Sequence, residues 1–192
     1  AEDFGSFARL EEVLAYWAQR QPRRKAYTEL DAHGGEVDSI TYAELARRAA
    51  ALAEQLRRAL PVGSHVALAY PAGVEFTVAF LACMEARLTA AAVPLPRDRR
   101  PNARLAQMMG AADMGLVLTS QSIKTWFEDL MQREPDWPAG LRILATEGLG
   151  DSETGPTSAL LRPAMRSHPG AGAADGSIAF AGTTSNGISA KG

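Results

Sequence analysis

Four short apolar runs recur along the chain with helical spacing between them, and that alternation limits the possible folds more than any other feature. His65-Val-Ala-Leu-Ala-Tyr70, Ala91-Ala-Val-Pro-Leu95, Met114-Gly-Leu-Val-Leu-Thr119 and Leu141-Arg-Ile-Leu-Ala-Thr146 read as buried strands. Residues 74–87, 102–111 and 121–133 read as the helices between them. The first of these is apolar on most sides, so it is expected to be deeply packed. Strand and helix in strict alternation mean βαβ units, an α/β class and a mainly parallel sheet with flanking helices. Such sheets hold their ligands beyond the carboxyl ends of the strands.

An earlier stretch prepares this body. Ser6 is placed to cap a helix in which Phe7, Leu10, Leu14 and Trp17 recur at helical spacing, and Pro22 ends it. Ala26-Tyr-Thr-Glu-Leu30, a turn at Asp31-Ala-His-Gly-Gly35 and residues 36–40 form an expected β-hairpin on an exposed edge. Thr41-Tyr-Ala-Glu44 has capping-box spacing, and the helix that it opens carries Leu45, Ala49, Leu52 and Leu56 on one face.

Size and charge exclude several classes. The 192 residues, 46% of them apolar, suffice for one core, since domains run about 50–250 residues. A net charge of −2 gives no basic field, so nucleic acid is not an expected partner. The longest wholly apolar run, residues 78–84, is far below the roughly 20 residues of a membrane span, and the acidic N-terminus lacks a secretory signal. Cys83 stands alone, which excludes an internal disulfide. A soluble, cytoplasmic, reducing setting is the expectation.

Residues 147–176 differ in character. They are rich in Gly, Ser, Ala and Pro, and they read as a flexible surface connection to a last strand at 177–180. That strand runs into Ala181-Gly-Thr-Thr-Ser-Asn-Gly-Ile-Ser-Ala-Lys-Gly192, a phosphate-loop-like segment. Gly187 lets the backbone approach an anion, as does Gly182. Thr183, Thr184, Ser185 and Ser189 supply hydroxyl donors, and Lys191 supplies charge. The alternative is a solvated loop with a stray lysine. Residues 182–187 match the first six positions of a Walker A loop, but Ile188 stands where the phosphate lysine belongs, so an ordinary P-loop NTPase is not expected.

Three stretches together resemble the adenylate-forming (AMP-binding) enzymes, most closely the fatty acyl-AMP ligases. The first is Ala26-Tyr-Thr-Glu-Leu-Asp with Ser39-Ile-Thr-Tyr-Ala-Glu-Leu-Ala-Arg-Arg48, similar to the family's early hairpin and "LTYAEL" helix start. The second runs from Val66-Ala-Leu through Gly73-Val-Glu-Phe-Thr-Val-Ala-Phe-Leu-Ala-Cys83 to Ala92-Val-Pro-Leu-Pro96. The third is the terminal segment, similar to the signature T-S-G-[ST]-T-G-x-P-K-G. Matching Thr184-Ser185 and Lys191-Gly192 to its ends leaves Asn186-Gly-Ile-Ser-Ala190 for the middle, one residue short, without the proline, and with Ile188 near a usual hydroxyl.

The resemblance implies that residues 1–192 are an incomplete N-terminal portion of such a domain, roughly its first third, with adenine, Mg²⁺, ribose and catalytic-lysine motifs expected downstream. A piece of this kind is expected to expose apolar surface and to be inactive alone. The whole enzyme would use ATP and Mg²⁺ to activate a carboxylic or fatty acid as its acyl-adenylate. It would then pass the acyl group to the phosphopantetheine thiol of an acyl carrier protein. Thr183, Thr184, Ser185, Asn186, Gly187, Ser189, Lys191 and Gly192 would hold the nucleotide's phosphates. The altered loop also admits another class, an adenylation-inactive structural or docking domain of a biosynthetic megasynthase. A third reading is an unrelated nucleotide-binding α/β domain.

The remaining candidates read as structure. Cys83 beside Phe80 and Met84 is a core thiol, and His33, His65 and His168 lack metal-ligand spacing. Arg97, Arg99, Arg100 and Arg104, like Arg23, Arg24 and Lys25, suit a solvated surface better than an acidic partner. Trp126, Phe127, Leu130 and Met131 follow core spacing.

Overall fold

A computed structural model of the chain describes residues 7–95, 103–133, 137–138, 140–147 and 149. The βαβ alternation is realised as β3 (His65–Ala69), α3 (Val74–Glu85), β4 (Thr89–Ala92), α4 (Ala103–Ala111), β5 (Leu116–Thr119), α5 (Gln121–Arg133) and β6 (Arg142–Ala145). These strands make one parallel sheet in the order β4-β3-β5-β6. Before it come α1 (Leu10–Arg20), β1 (Lys25–Leu30), β2 (Glu36–Thr41) and α2 (Tyr42–Ala59). Antiparallel β1 and β2 form a separate two-stranded sheet, packed on α2 and α3 rather than joined to the main sheet's edge.

Strand alternation splits the core between the two faces of the sheet. Val66, Leu68, Leu116, Leu118 and Leu144 point to the front, where α2 supplies Leu45, Ala49, Leu52 and Leu56 and α3 supplies Val78, Ala79 and Ala82. Ala67, Ala69 and Val117 point to the back, under Leu105 and Met109 of α4 and Phe127 of α5. Both faces are covered, as parallel sheets require, and for that reason these strands are continuous apolar runs.

Local chemistry sets the boundaries. Thr41 Oγ1 accepts the Glu44 N–H at 3.3 Å and opens α2 as expected, while the Glu44 carboxylate holds Arg47 at 2.7 Å. In α1 the expected start moves: Arg9 occupies the N-cap position without a side-chain cap, and Phe7 packs before the helix on Tyr16 with ring centroids 5.3 Å apart. Ser6 lies outside the described residues. β4 begins two residues before the expected Ala91, because its ladder starts where Thr89 pairs with His65. The ladder is over before Pro94, which has no N–H to give it.

Candidate functional site

The order of connections locates a crevice. From β3 the chain crosses to β4 on one side, then returns past β3 to β5 and β6 on the other. The reversal puts the topological switch point between the carboxyl ends of β3 and β5, where open α/β sheets bind ligands. Tyr70-Pro71-Ala72-Gly73 leaves β3 on one side of it, and Thr119-Ser120 leaves β5 on the other.

Three hydroxyls knit this edge together. Thr119 Oγ1, fully buried, donates to the Ala69 carbonyl at 2.5 Å and closes the floor between the two strands. The Tyr70 hydroxyl and Thr146 Oγ1, both buried, lie 2.6 Å apart, so the Tyr70 side chain spans the end of β5 to reach the end of β6. The Thr146 N–H donates to the Thr119 carbonyl at 3.0 Å. Burial pushes the Tyr70 phenol well above its ordinary range; the Thr146 bond opposes this, and Cys83, Glu75 and Glu147 add to it. Tyr70 is therefore a neutral hydroxyl at physiological pH and suits positioning rather than proton abstraction.

Both helix N-termini at the crevice already face carboxylates. Glu147, just past β6, accepts the Gln121 N–H with both oxygens at 2.8 Å and so occupies the positive end of α5. Beside it, Ser120 and Ser122 place their hydroxyl oxygens 3.1 Å apart. At α3, Gly73 holds the N-cap position and has no side chain to offer. A Cβ there would come within 2.7 Å of Glu29 Oε2, which shows that the hairpin brings a carboxylate over this helix start. Arg48 is already engaged at 2.6 Å by Glu75 Oε1, whose companion oxygen Oε2 is buried without a hydrogen-bond partner. Two carboxylates at two helix starts repel a polyphosphate. Neither βα junction is thus an open phosphate cradle.

The sequence-derived site residues Thr183, Thr184, Ser185, Asn186, Gly187, Ser189, Lys191 and Gly192 lie outside the described residues, as do the 177–180 strand and most of 147–176. The edge residues Tyr70, Thr119, Thr146, Glu147 and Glu29 were not singled out from sequence. A signal was present: three apolar strands each run directly into a hydroxyl residue, at Tyr70, Thr119 and Thr146.

Elsewhere the structural readings stand. Cys83 is fully buried, and desolvation pushes its thiol up to about 12, which rules out a ready nucleophile. Trp17 stacks on Tyr42 at 6.0 Å, and Phe127 is fully buried between Trp126 and Trp137. His33 lies in the hairpin turn, its N–H bonded to Asp31 Oδ1 at 2.8 Å. Arg104 is exposed, whereas Arg97, Arg99 and Arg100 are outside the described residues.

Among the described residues no group of three or more His, Cys, Asp or Glu is arranged to hold a metal, so they provide no protein ligand set for Mg²⁺. No described helix is long and apolar enough to cross a membrane. A groove of about 370 Å³ between α1, α2 and α3 is floored by Leu14, Ala50 and Leu81 and rimmed by Glu11, Glu12 and Glu85. It lies on the helices' outer side, and its carboxylates make it a poor receptor for an acyl carboxylate or a phosphate.

Comparison with solved structures places this architecture. A fatty acyl-adenylate ligase from L. pneumophila, in complex with acyl adenylate and pyrophosphate, matches with a TM-score of 0.67 at 20% identity, over 86% of this chain and 27% of that one. The AMPPNP-bound form of the nonribosomal peptide synthetase FmoA3 matches with a TM-score of 0.58 at 26% identity, over 77% of this chain and 14% of that one. The N-terminal subdomain of Klebsiella oxytoca NpsA matches with a TM-score of 0.54 at 22% identity, over 76% of this chain and 33% of that one. The chain thus spans about a quarter of the length of the L. pneumophila ligase. No curated protein matches the sequence significantly. The family model for AMP-binding enzymes matches residues 14–175, from within α1 to beyond the last described residue. With that match covering most of the chain, and with the parallel sheet, its flanking helices and the separate hairpin all in place, the chain belongs to the AMP-binding, adenylate-forming enzyme family.

Proposed function

We propose that this chain is the N-terminal framework of an ATP-dependent acyl-AMP ligase acting on a carboxylic, fatty acid. In the first step a carboxylate oxygen attacks the α-phosphorus of ATP. The α–β bridging P–O bond breaks, pyrophosphate leaves and an acyl-adenylate remains. In the second step the phosphopantetheine thiol of a carrier protein, losing its proton, attacks the acyl carbonyl, and AMP departs with the bonding pair. The observation that carries this reading is the match to the L. pneumophila ligase, whose bound acyl adenylate and pyrophosphate are the products of that first step.

The occupied helix starts at α3 and α5 assign phosphate handling to another part of the protein, and residues 181–192 have the composition for it. Hydroxyls of Thr183, Thr184, Ser185 and Ser189 and the charge of Lys191 would stabilise pyrophosphate as it leaves. Mg²⁺, when bound, would neutralise phosphate charge through ligands outside the described residues. A second reading, an adenylation-inactive docking domain of a megasynthase, is favoured by one feature of that segment: Ile188 cannot donate to phosphate, and the proline is missing.

ATP–pyrophosphate exchange by the longest polypeptide that carries this chain, across short to long carboxylic acids, separates the two. Exchange above background with a preferred chain length is expected. Its absence from a protein shown to be folded moves the assignment to the docking domain.

A further inference from the structure

The three crossovers of the sheet share one hand. Passage from β3 to β4 uses the front face, under α2 and α3, and moves the chain in one direction. Passages from β4 to β5 and from β5 to β6 use the back face, under α4 and α5, and move it in the other. Parallel crossovers keep one handedness in about 98% of cases, so in this sheet a front passage carries the chain towards the β4 side.

The chain leaving β6 takes the front. Thr146 is fastened to Tyr70 of the front core, and Leu149 packs against that core. The Leu149 carbonyl accepts Gln55 Nε2 of α2 at 3.0 Å. We propose that residues 177–180 join the sheet as a parallel strand on the outer edge of β4, giving the order 177–180, β4, β3, β5, β6. Residues 181–192 then emerge at the carboxyl edge beside Ala92 and Val93, one strand from the β3 side of the crevice.

The two free edges differ in a way that supports this placement. Natural edge strands are protected by charge, proline or bulges. β4 is Thr-Ala-Ala-Ala, pairs with β3 without a register shift and carries none of these, whereas β6 opens with Arg142. β4 has the makeup of an interior strand. The placement rests on the reading of 177–180 as a strand, and its importance for ATP rests on the proposed function.

Paired cysteines in the longest polypeptide carrying this chain test it. Neighbouring strands lie about 4.8 Å apart, within the roughly 4.4–6.8 Å that a disulfide bridges between Cα atoms, while the far edge would be about 19 Å away. Ile178→Cys and Ala179→Cys are each combined with Ala90→Cys or Ala91→Cys at β4, and with Ile143→Cys or Leu144→Cys at β6. Buried Cys83 does not compete. Mild oxidation is expected to give a reducible gel-mobility shift with a β4 partner and none with a β6 partner. A shift only with β6 partners, or with neither edge, overturns the placement. Pyrophosphate exchange on the same variants separates this failure from failure of the function: exchange that persists beside a β6 crosslink removes the placement and leaves adenylation standing.

Discussion

The two faces of the parallel sheet are built to different plans. On the back, α4 and α5 pack beneath the strands to which they are directly joined, and the layer is filled by bulky side chains such as Phe127, Met109 and Trp126. On the front, small and aliphatic residues of α2 and α3 let the helices approach closely, and segments distant in sequence meet there. Arg48 reaches Glu75, Gln55 reaches Leu149 and Tyr70 reaches Thr146. The back is therefore a set of local βαβ units. The front is where the hairpin, the helices and the departing chain are tied to one another, and it is the face from which the carboxyl edge is organised.

If the back is a filled local layer, Phe127→Ala should have the largest effect, a loss of about 3–5 kcal/mol from the cavity it leaves. Denaturant titration measures it, and hydrogen exchange should rise in α5 and β6 before α2. Early loss in α2 instead would merge the two layers into one unit. On the front, Cys83 should resist thiol reagents at neutral pH until the protein unfolds. Because burial raises its thiol to about 12 from an ordinary 9.0, its contribution is intact below pH 9 and is lost as the pH climbs from there towards 12. Thermal melts across that range check the sign.

Tyr70→Phe should cost about 1–3 kcal/mol by stranding the buried Thr146 hydroxyl. Adding Thr146→Val should restore much of the loss, so the double-mutant cycle is strongly non-additive. Simple additivity would deny the tie across the crevice. The smallest effect belongs to the exposed cap at α5. Glu147→Ala should cost about 0.3–1 kcal/mol, less in high salt.

The sheet was legible because apolar runs and helical periods alternate without exception from His65 to Ala145, and buried parallel strands have no polar face to confuse the pattern. Thr41 was legible as a cap from its spacing to Glu44 alone. What sequence did not reveal depends on through-space neighbours. The carboxylates at the α3 and α5 starts come from Glu29, 44 residues before Gly73, and from Glu147, 26 residues after Gln121, and no local pattern announces either. The start of β4 moved for the same reason, since its register is set by pairing with His65 and not by its own composition. The family was legible from three dispersed stretches, and the comparisons bear it out.

The central claim is that this edge of the sheet frames an adenylation site whose phosphates are handled by residues 181–192 and not by the α5 helix start. Pyrophosphate-exchange rates of Lys191→Ala and Glu147→Ala, each in the longest polypeptide carrying the chain, test it most directly. The account predicts that exchange falls by roughly 10²-fold or more with Lys191→Ala, the scale of losing one transition-state donor, and stays near the parent rate with Glu147→Ala. Exchange that survives Lys191→Ala but is lost with Glu147→Ala would contradict it.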